Sequence, residues 1–180
     1  MMRWLPPLVA GLIALFALLG GAAPSPEDKQ GGKSAAKSLY RNSELGIALR
    51  PPKFEAPAEV QSVMAASFAA PVKDGFAANL NVMVQPKMTK DVLVSITKSQ
   101  FAAMGLNVVA EKERTIGGFE AVEYIYESQQ QAMTLRHIAV GVVGEKNVYL
   151  LTGTSLAGHF AEYEPAFRAA IDSFQAKAVD

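Results

Sequence analysis

The sequence predicts an α+β fold built around an antiparallel sheet, and three observations carry that prediction. From Leu39 onward, short runs of alternating apolar and polar residues recur, as expected for half-buried strands. Glycine, asparagine and aspartate clusters separate these runs at hairpin distances. Two other segments repeat apolar residues every three or four positions, the period of an amphipathic helix.

Taken in order, residues 39–41, the turn-like Asn42, Ser43 and Glu44, and residues 46–50 read as an opening hairpin. Pro51 and Pro52 stop it, because proline cannot donate to a continuing ladder. Residues 60–70 read as a strand, and Asp74 with Gly75 as the turn into the next. In that next strand Ala78, Leu80, Val82 and Val84 point one way, while Asn79 and Asn81 point the other. Thr89 is a good N-cap for a helix that ends near Met104, with Gly105 as its left-handed stop. Asp91, Ser95, Lys98 and Ser99 fall on one side of it, which leaves Val92, Leu93, Ile96 and Met104 to cover a sheet.

Three longer strands follow at residues 107–115, 119–129 and 133–143, joined at Gly117–Gly118 and near Gln130. Residues 144–147 turn into a strand at 148–154, and such short links favour antiparallel pairing. The last helix carries a single stripe of Phe160, Tyr163, Phe167, Ile171 and Phe174, which is read as core. Pro165 suits a first helical turn, so a separate short turn is expected at 157–163 before the main helix. Glu164, Arg168 and Asp172 stand four apart on the opposite face, which is expected to be wet.

The residues before the domain have a different character. Arg3 precedes an apolar run from Leu8 to Leu19, and Gly20, Gly21, Ala22 and Ala23 follow it. A positive charge, a short apolar core and small residues are the three regions of a secretory signal, read here as residues 1–22. A retained membrane anchor is the alternative, since Leu5 to Ala23 is nearly long enough to cross a bilayer. Residues 23–38 lack any large apolar side chain and read as a flexible linker, so residues 39–176 are expected to form one domain. The Gly32, Lys33 and Ser34 triplet is no phosphate loop, because Glu27 stands where that loop needs glycine.

Composition narrows the chemistry. Seventeen Lys and Arg balance 17 Asp and Glu among 180 residues, which gives no electrostatic attraction toward nucleic acid. There is no Cys, so disulfides, thiol catalysis and Cys-ligated metals are excluded. Only two His residues are present, and without a third the common His-based metal sites become hard to build. No glycine-rich dinucleotide fingerprint is present, and no cofactor is expected.

Gly153, Ser155, Gly158 and His159 approach a nucleophile elbow, but two residues rather than one separate the serine from the second glycine. Ser155 is read instead as a helix cap. The pairs Glu111 with Glu113 and Glu123 with Glu127 share strand faces, at a spacing that a glycosidase could use, but alternating Glu on an antiparallel strand reads as a solvated face. A hairpin near Gln130 would bring Tyr124, Arg136 and His137 together as a surface patch, with Arg136 pairing to a Glu as the plainer outcome.

Several patches resemble a known group. Residues 40–52, with their aromatic start, Leu45-Gly46-Ile47 step and Pro51-Pro52 end, are similar to the opening of PsbP-like domains. Residues 76–82, the turn at 116–121, residues 149–154 and the segment from Phe167 to Phe174 continue the resemblance. This PsbP-like and DcrB-like superfamily includes the extrinsic photosystem subunit PsbP, bacterial DcrB-like proteins and a Ran-binding nuclear import factor. The resemblance implies an α/β/α sandwich, an antiparallel β-sheet with helices on both faces. It also implies a non-catalytic accessory role with a protein partner. The competing expectation is an exported enzyme that uses the patch of Tyr124, Arg136 and His137.

Overall fold

The computed structural model describes residues 39–54, 58–59 and 65–176. The expected signal segment and linker lie outside the described residues, as do positions 60–64 of the strand expected at 60–70. Strands β1 (Tyr40–Asn42) and β2 (Ile47–Leu49) form the expected hairpin. Next come β3 (Ala58–Glu59), β4 (Ala66–Lys73) and β5 (Phe76–Pro86), then helix α1 (Lys90–Met104). Strands β6 (Asn107–Ile116), β7 (Phe119–Gln130), β8 (Met133–Val143) and β9 (Asn147–Leu156) lead to helix α2 (Phe160–Asp172) and the short β10 (Gln175–Ala176).

Seven strands form one sheet in the order β3-β4-β5-β9-β8-β7-β6, and every pairing is antiparallel. Local turn chemistry sets its hairpins. Asp74 and Gly75 take φ of 50° and 81°, and Gly117 and Gly118 take 58° and 88°. Left-handed pairs of this kind give two-residue connections the twist of the flanking strands. Gly117 has a second constraint, because a Cβ there would stand 2.9 Å from the Phe174 carbonyl oxygen.

The helices cover opposite faces, which produces the expected sandwich. On one face Ile138, Val140 and Val142 of β8 and Tyr149 and Leu151 of β9 join Phe160, Phe167 and Ile171 of α2 in the larger core. The small sheet β1-β2-β10 closes this layer through Ile47 and Leu49. On the other face Val122, Tyr124, Tyr126, Val148 and Leu150 pack with Leu93 and Phe101 of α1.

Some elements depart from expectation. Strand β4 begins at Ala66 and runs on to Lys73, through a register shift between Ala69 and Val72. Thr89 caps α1, its hydroxyl accepting from the Val92 amide at 3.4 Å, and Gly105 closes it at φ 62°. The buried stripe of α1 is Leu93, Thr97 and Phe101, whereas Val92 and Met104 are exposed. Steps of four residues follow the helix surface more closely than the broader arc expected. The turn before α2 is a single 3-10 turn at Ala157–His159, and the helix runs from Phe160 through Pro165 without a break. Ser155 is no cap: its hydroxyl donates to the Leu156 carbonyl at 3.2 Å.

The contact between Gly153 of β9 and α2 can be tested directly. A Cβ at Gly153 would lie 2.5 Å from the Phe167 ring, and Phe167 is fully buried. Overpacking of this kind typically costs about 1–3 kcal/mol, so Gly153→Ala should lower unfolding free energy by that order. At Gly141→Ala the one contact under 3 Å is the Leu93 Cδ2 tip, at 2.7 Å, the end of a flexible side chain, so this change should cost less in the same denaturation assay.

Candidate functional site

The three residues expected to form one patch are divided between the two faces of the sheet. Cross-strand neighbours share a face. Tyr126 stands opposite His137, and Tyr124 opposite Ala139, all on the α1 side. Arg136 stands opposite Glu127 and points toward α2, its guanidinium 5.8 Å from the centre of the Phe160 ring. The anticipated pairing to a Glu is made: Arg136 Nε donates to Glu127 Oε1 at 2.9 Å. Tyr124 and His137 are not surface groups either, at 3% and 1% exposure.

His137 is instead the centre of a buried polar cluster. Its ring stacks on Tyr126 with centroids 4.4 Å apart. Its Nδ1 lies 3.0 Å from Thr154 Oγ1 and its Nε2 2.8 Å from Ser128 Oγ. Burial pushes the imidazole down to about 4, so the ring is neutral at pH 7. Tyr124 is pushed up to about 12, first by burial and then by the Glu111 carboxylate beside it. Neither group is poised to exchange a proton near neutrality. Under α1 the sheet leaves a cavity of about 30 Å³, bordered by Leu93, Thr97, Phe101, Ala139, Gly141 and Thr152. That is far below the roughly 300 Å³ at which small-molecule pockets begin.

On the α2 side lies a charged cluster that the sequence pattern concealed. Glu123 was expected on a solvated face, yet its side chain is only 3% exposed. Arg114 of β6 approaches it at 2.6 Å, Arg168 of α2 at 3.0 Å and Lys112 of β6 at 3.2 Å. Arg114 also pairs with Asp172, and Arg168 pairs with Glu164 at 2.7 Å. The face of α2 expected to be wet is therefore the face that ties the helix to the sheet. Burial alone would raise the Glu123 carboxyl, but hydrogen bonds from Arg114 and Arg168 hold it below its ordinary value.

The remaining catalytic constellations are also accounted for. Glu111 pairs with Lys98 at 3.0 Å and Glu113 with Lys90 at 3.1 Å, so neither acts as a free carboxylate. An acid does reach His159, since Asp74 Oδ2 lies 2.7 Å from its Nε2. The other ring nitrogen faces Glu162 at 3.7 Å rather than Ser155, and the Ser155 hydroxyl already donates to Leu156. This is an ion cluster at the hairpin tip, joined by Lys73 to Glu162 at 2.8 Å. Among the described residues no group of three or more His, Cys, Asp or Glu side chains is placed to hold a metal ion. Among them, too, no helix is long and apolar enough to cross a membrane.

What stands open is the edge of the sheet. Among the described residues strand β6 pairs only with β7, and its first seven residues are all exposed. Val108 and Val109 are 42% and 50% exposed, and Met104 at the end of α1 is 41% exposed. The Val108–Val109 pair was the available sequence signal, and the strand order is what shows it to lie at an edge.

Glu123 and His137, the buried charge and the buried neutral ring, can each be tested. Glu123→Gln leaves Arg114, Arg168 and Lys112 without their shared anion, and should cost about 3 kcal/mol of unfolding free energy by denaturant titration. His137 titrates at about 4 when folded and near 6.5 when unfolded, so the unfolded chain takes up its proton first as pH falls. Its contribution is complete above about pH 6.5 and is lost progressively toward pH 4. Glu123 loses its contribution only lower, below its ordinary value near 4.5. His137→Phe should therefore flatten the stability profile between pH 6.5 and 4.5, measured as unfolding free energy at each pH, while lowering it overall by leaving Thr154 unpaired.

The sequence matches no protein-family model and no curated protein. Similarity appears at the level of structure. LpqN of Mycobacterium tuberculosis, a protein involved in cell envelope biogenesis, superposes with a TM-score of 0.61 at 12% identity, over 73% of this chain and 83% of its own. The cyanobacterial PsbP of Synechocystis gives 0.58 at 13% identity, over 84% of this chain and 99% of that one. A Pseudomonas aeruginosa protein of unknown function gives 0.53 at 17% identity, over 76% and 94%. With its antiparallel sheet between α1 and α2, this chain has the PsbP-like fold.

Proposed function

We propose that the protein is an exported accessory module that acts by binding another protein and carries out no catalysis itself. The observation that carries this reading is the apolar surface at the free edge of the sheet. Met104, Val108 and Val109 lie within six residues of one another, where α1 hands over to β6, and all three face solvent. Exposed apolar side chains grouped at an open edge are a feature of interaction surfaces.

Export is supported by the charged, apolar and small-residue regions of the first 22 positions. The structural likeness to LpqN, a protein of cell envelope biogenesis, is consistent with a role outside the cytoplasm. Fold kinship alone assigns no activity, so the weight rests on the surface. The enzymatic alternative would need Tyr124, Arg136 and His137 on one accessible face, and the strand register puts Arg136 behind the other two.

Crosslinking and affinity capture of the full-length protein in its native host, read by mass spectrometry, tests this proposal. One abundant exported or membrane protein should be recovered with the wild type and lost with Val109→Asp, whose exposed position leaves stability within about 0.5 kcal/mol. The N-terminus of the recovered protein should begin near Ala23 if the signal is cleaved. Repeated capture without a partner would overturn the accessory reading.

A further inference from the structure

The charge pattern of β6 says more about what that edge accepts. Glu111 lies beside Tyr124 and Glu113 beside Val122, so both acids stand on the α1 face. Lys112 lies beside Glu123 and Arg114 beside Ala121, so both bases stand on the α2 face. Intramolecular partners hold this segregation: Lys98 and Lys90 on the acidic side, Glu123 and Asp172 on the basic side. The two rows nevertheless border an unpaired backbone edge along which only Arg114 and Ile116 are shielded from solvent.

Directly opposed residues in an antiparallel pair lie on the same face, and like charges there are destabilising. If two copies met edge to edge about a two-fold axis normal to the sheet, Glu would face Glu and Lys or Arg would face Lys or Arg. Antiparallel self-pairing that sets residues 111–114 against one another is thereby disfavoured, as self-pairing of exposed edges in natural sheets commonly is. A strand with the opposite arrangement meets no such penalty.

We propose that the outer edge of β6 takes up an extended segment of a partner protein by strand addition. The segment alternates basic residues toward the α1 face with acidic residues toward the α2 face, and continues into apolar residues beside Val108 and Val109. Backbone hydrogen bonds supply affinity in this mode of recognition, and the alternating side chains supply selectivity. The apolar end lies at the register shift between Val108 and Ala110, which leaves Val109 without a counterpart on β7. This inference deepens the accessory reading and rests on it.

The test uses two synthetic peptides of identical composition and the full-length protein. One peptide alternates Lys and Glu to match residues 111–114 and ends in three apolar residues; the other groups its Lys and its Glu in blocks, which no register can match to both faces. The alternating peptide should bind at least about tenfold tighter, as two or more favourable cross-strand pairs allow. Amide shifts in the NMR spectrum should concentrate on residues 108–115. The variant Glu111→Lys with Glu113→Lys, checked for folding by the same spectrum, should lose this preference and instead bind a peptide acidic on both faces.

Equal binding of the two peptides, shifts centred elsewhere, no binding at millimolar peptide, or a dimer that buries β6 in sedimentation would each overturn the proposal. The outcome is separable from that of the accessory reading. Partner capture that persists in the Glu111→Lys, Glu113→Lys variant leaves the accessory role standing and removes the edge as its site. Selective peptide binding without any captured partner supports the edge chemistry and removes the accessory role.

Discussion

Strands β8 and β9 run through the interior of the sheet, and their period-two alternation has to satisfy a helix on each side at once. Toward α2 they present Ile138, Val140, Val142, Tyr149 and Leu151, an apolar floor for the aromatic stripe of Phe160 and Phe167. Toward α1 the same strands present His137, Ala139, Gly141, Thr152 and Thr154 together with Val148 and Leu150, a more mixed set that includes several small residues. The asymmetry decides how each helix sits. Gly153 lets the Phe167 ring come close to the backbone of β9, so α2 is seated deeply, while Leu93 of α1 enters the notch left by Gly141.

Each face manages its polar groups differently. On the α1 side His137 is kept neutral and shares hydrogen bonds with Ser128 and Thr154 while stacking on Tyr126. Nearby, Ser67, Asn81 and Asn79 run a side-chain chain of hydrogen bonds across β4 and β5 at 2.6 and 3.0 Å. On the α2 side the polar group is a charge, and Glu123 is tolerable there only because cations from two elements converge on it. One of those elements is the edge strand β6 and the other is α2, so the cluster joins the margin of the sheet to its covering helix. The same contacts order Lys112 and Arg114 along β6, which makes the edge a patterned surface rather than a row of loose side chains.

Much of the architecture was legible from local signals. Left-handed positions announced themselves as Asp74-Gly75, Gly117-Gly118 and Gly105, and Thr89 marked the start of α1. Of the stripe read as core, Phe160, Phe167, Ile171 and Phe174 are buried, the last just beyond α2, and Tyr163 is partly buried against them. Errors gathered where a residue's neighbours come from distant sequence. Val92 and Met104 looked like core by helical spacing, but α1 turns Leu93, Thr97 and Phe101 into the sheet and leaves those two exposed. Pro165 looked like a helix start, but packing on β9 carries α2 through it from Phe160.

By itself, then, the sequence determined the order of the longer strands and the two helices, though not the short β3 and β10, together with the antiparallel hairpins and the face each strand residue occupies relative to its neighbours, because backbone sterics and a period of two or 3.6 act within a few residues. It also determined that disulfides and thiol chemistry are out of reach, since the sequence contains no Cys. Only the tertiary structure decided that β6 lies at the margin and β9 inside, and that Glu123 is buried rather than wet. The adjacency of Arg136 and His137 in sequence is what separates them, because consecutive strand residues point to opposite faces. The fate of Glu123 depended instead on Arg168, 45 residues away, and no local pattern records which cation a carboxylate will meet once the chain has folded.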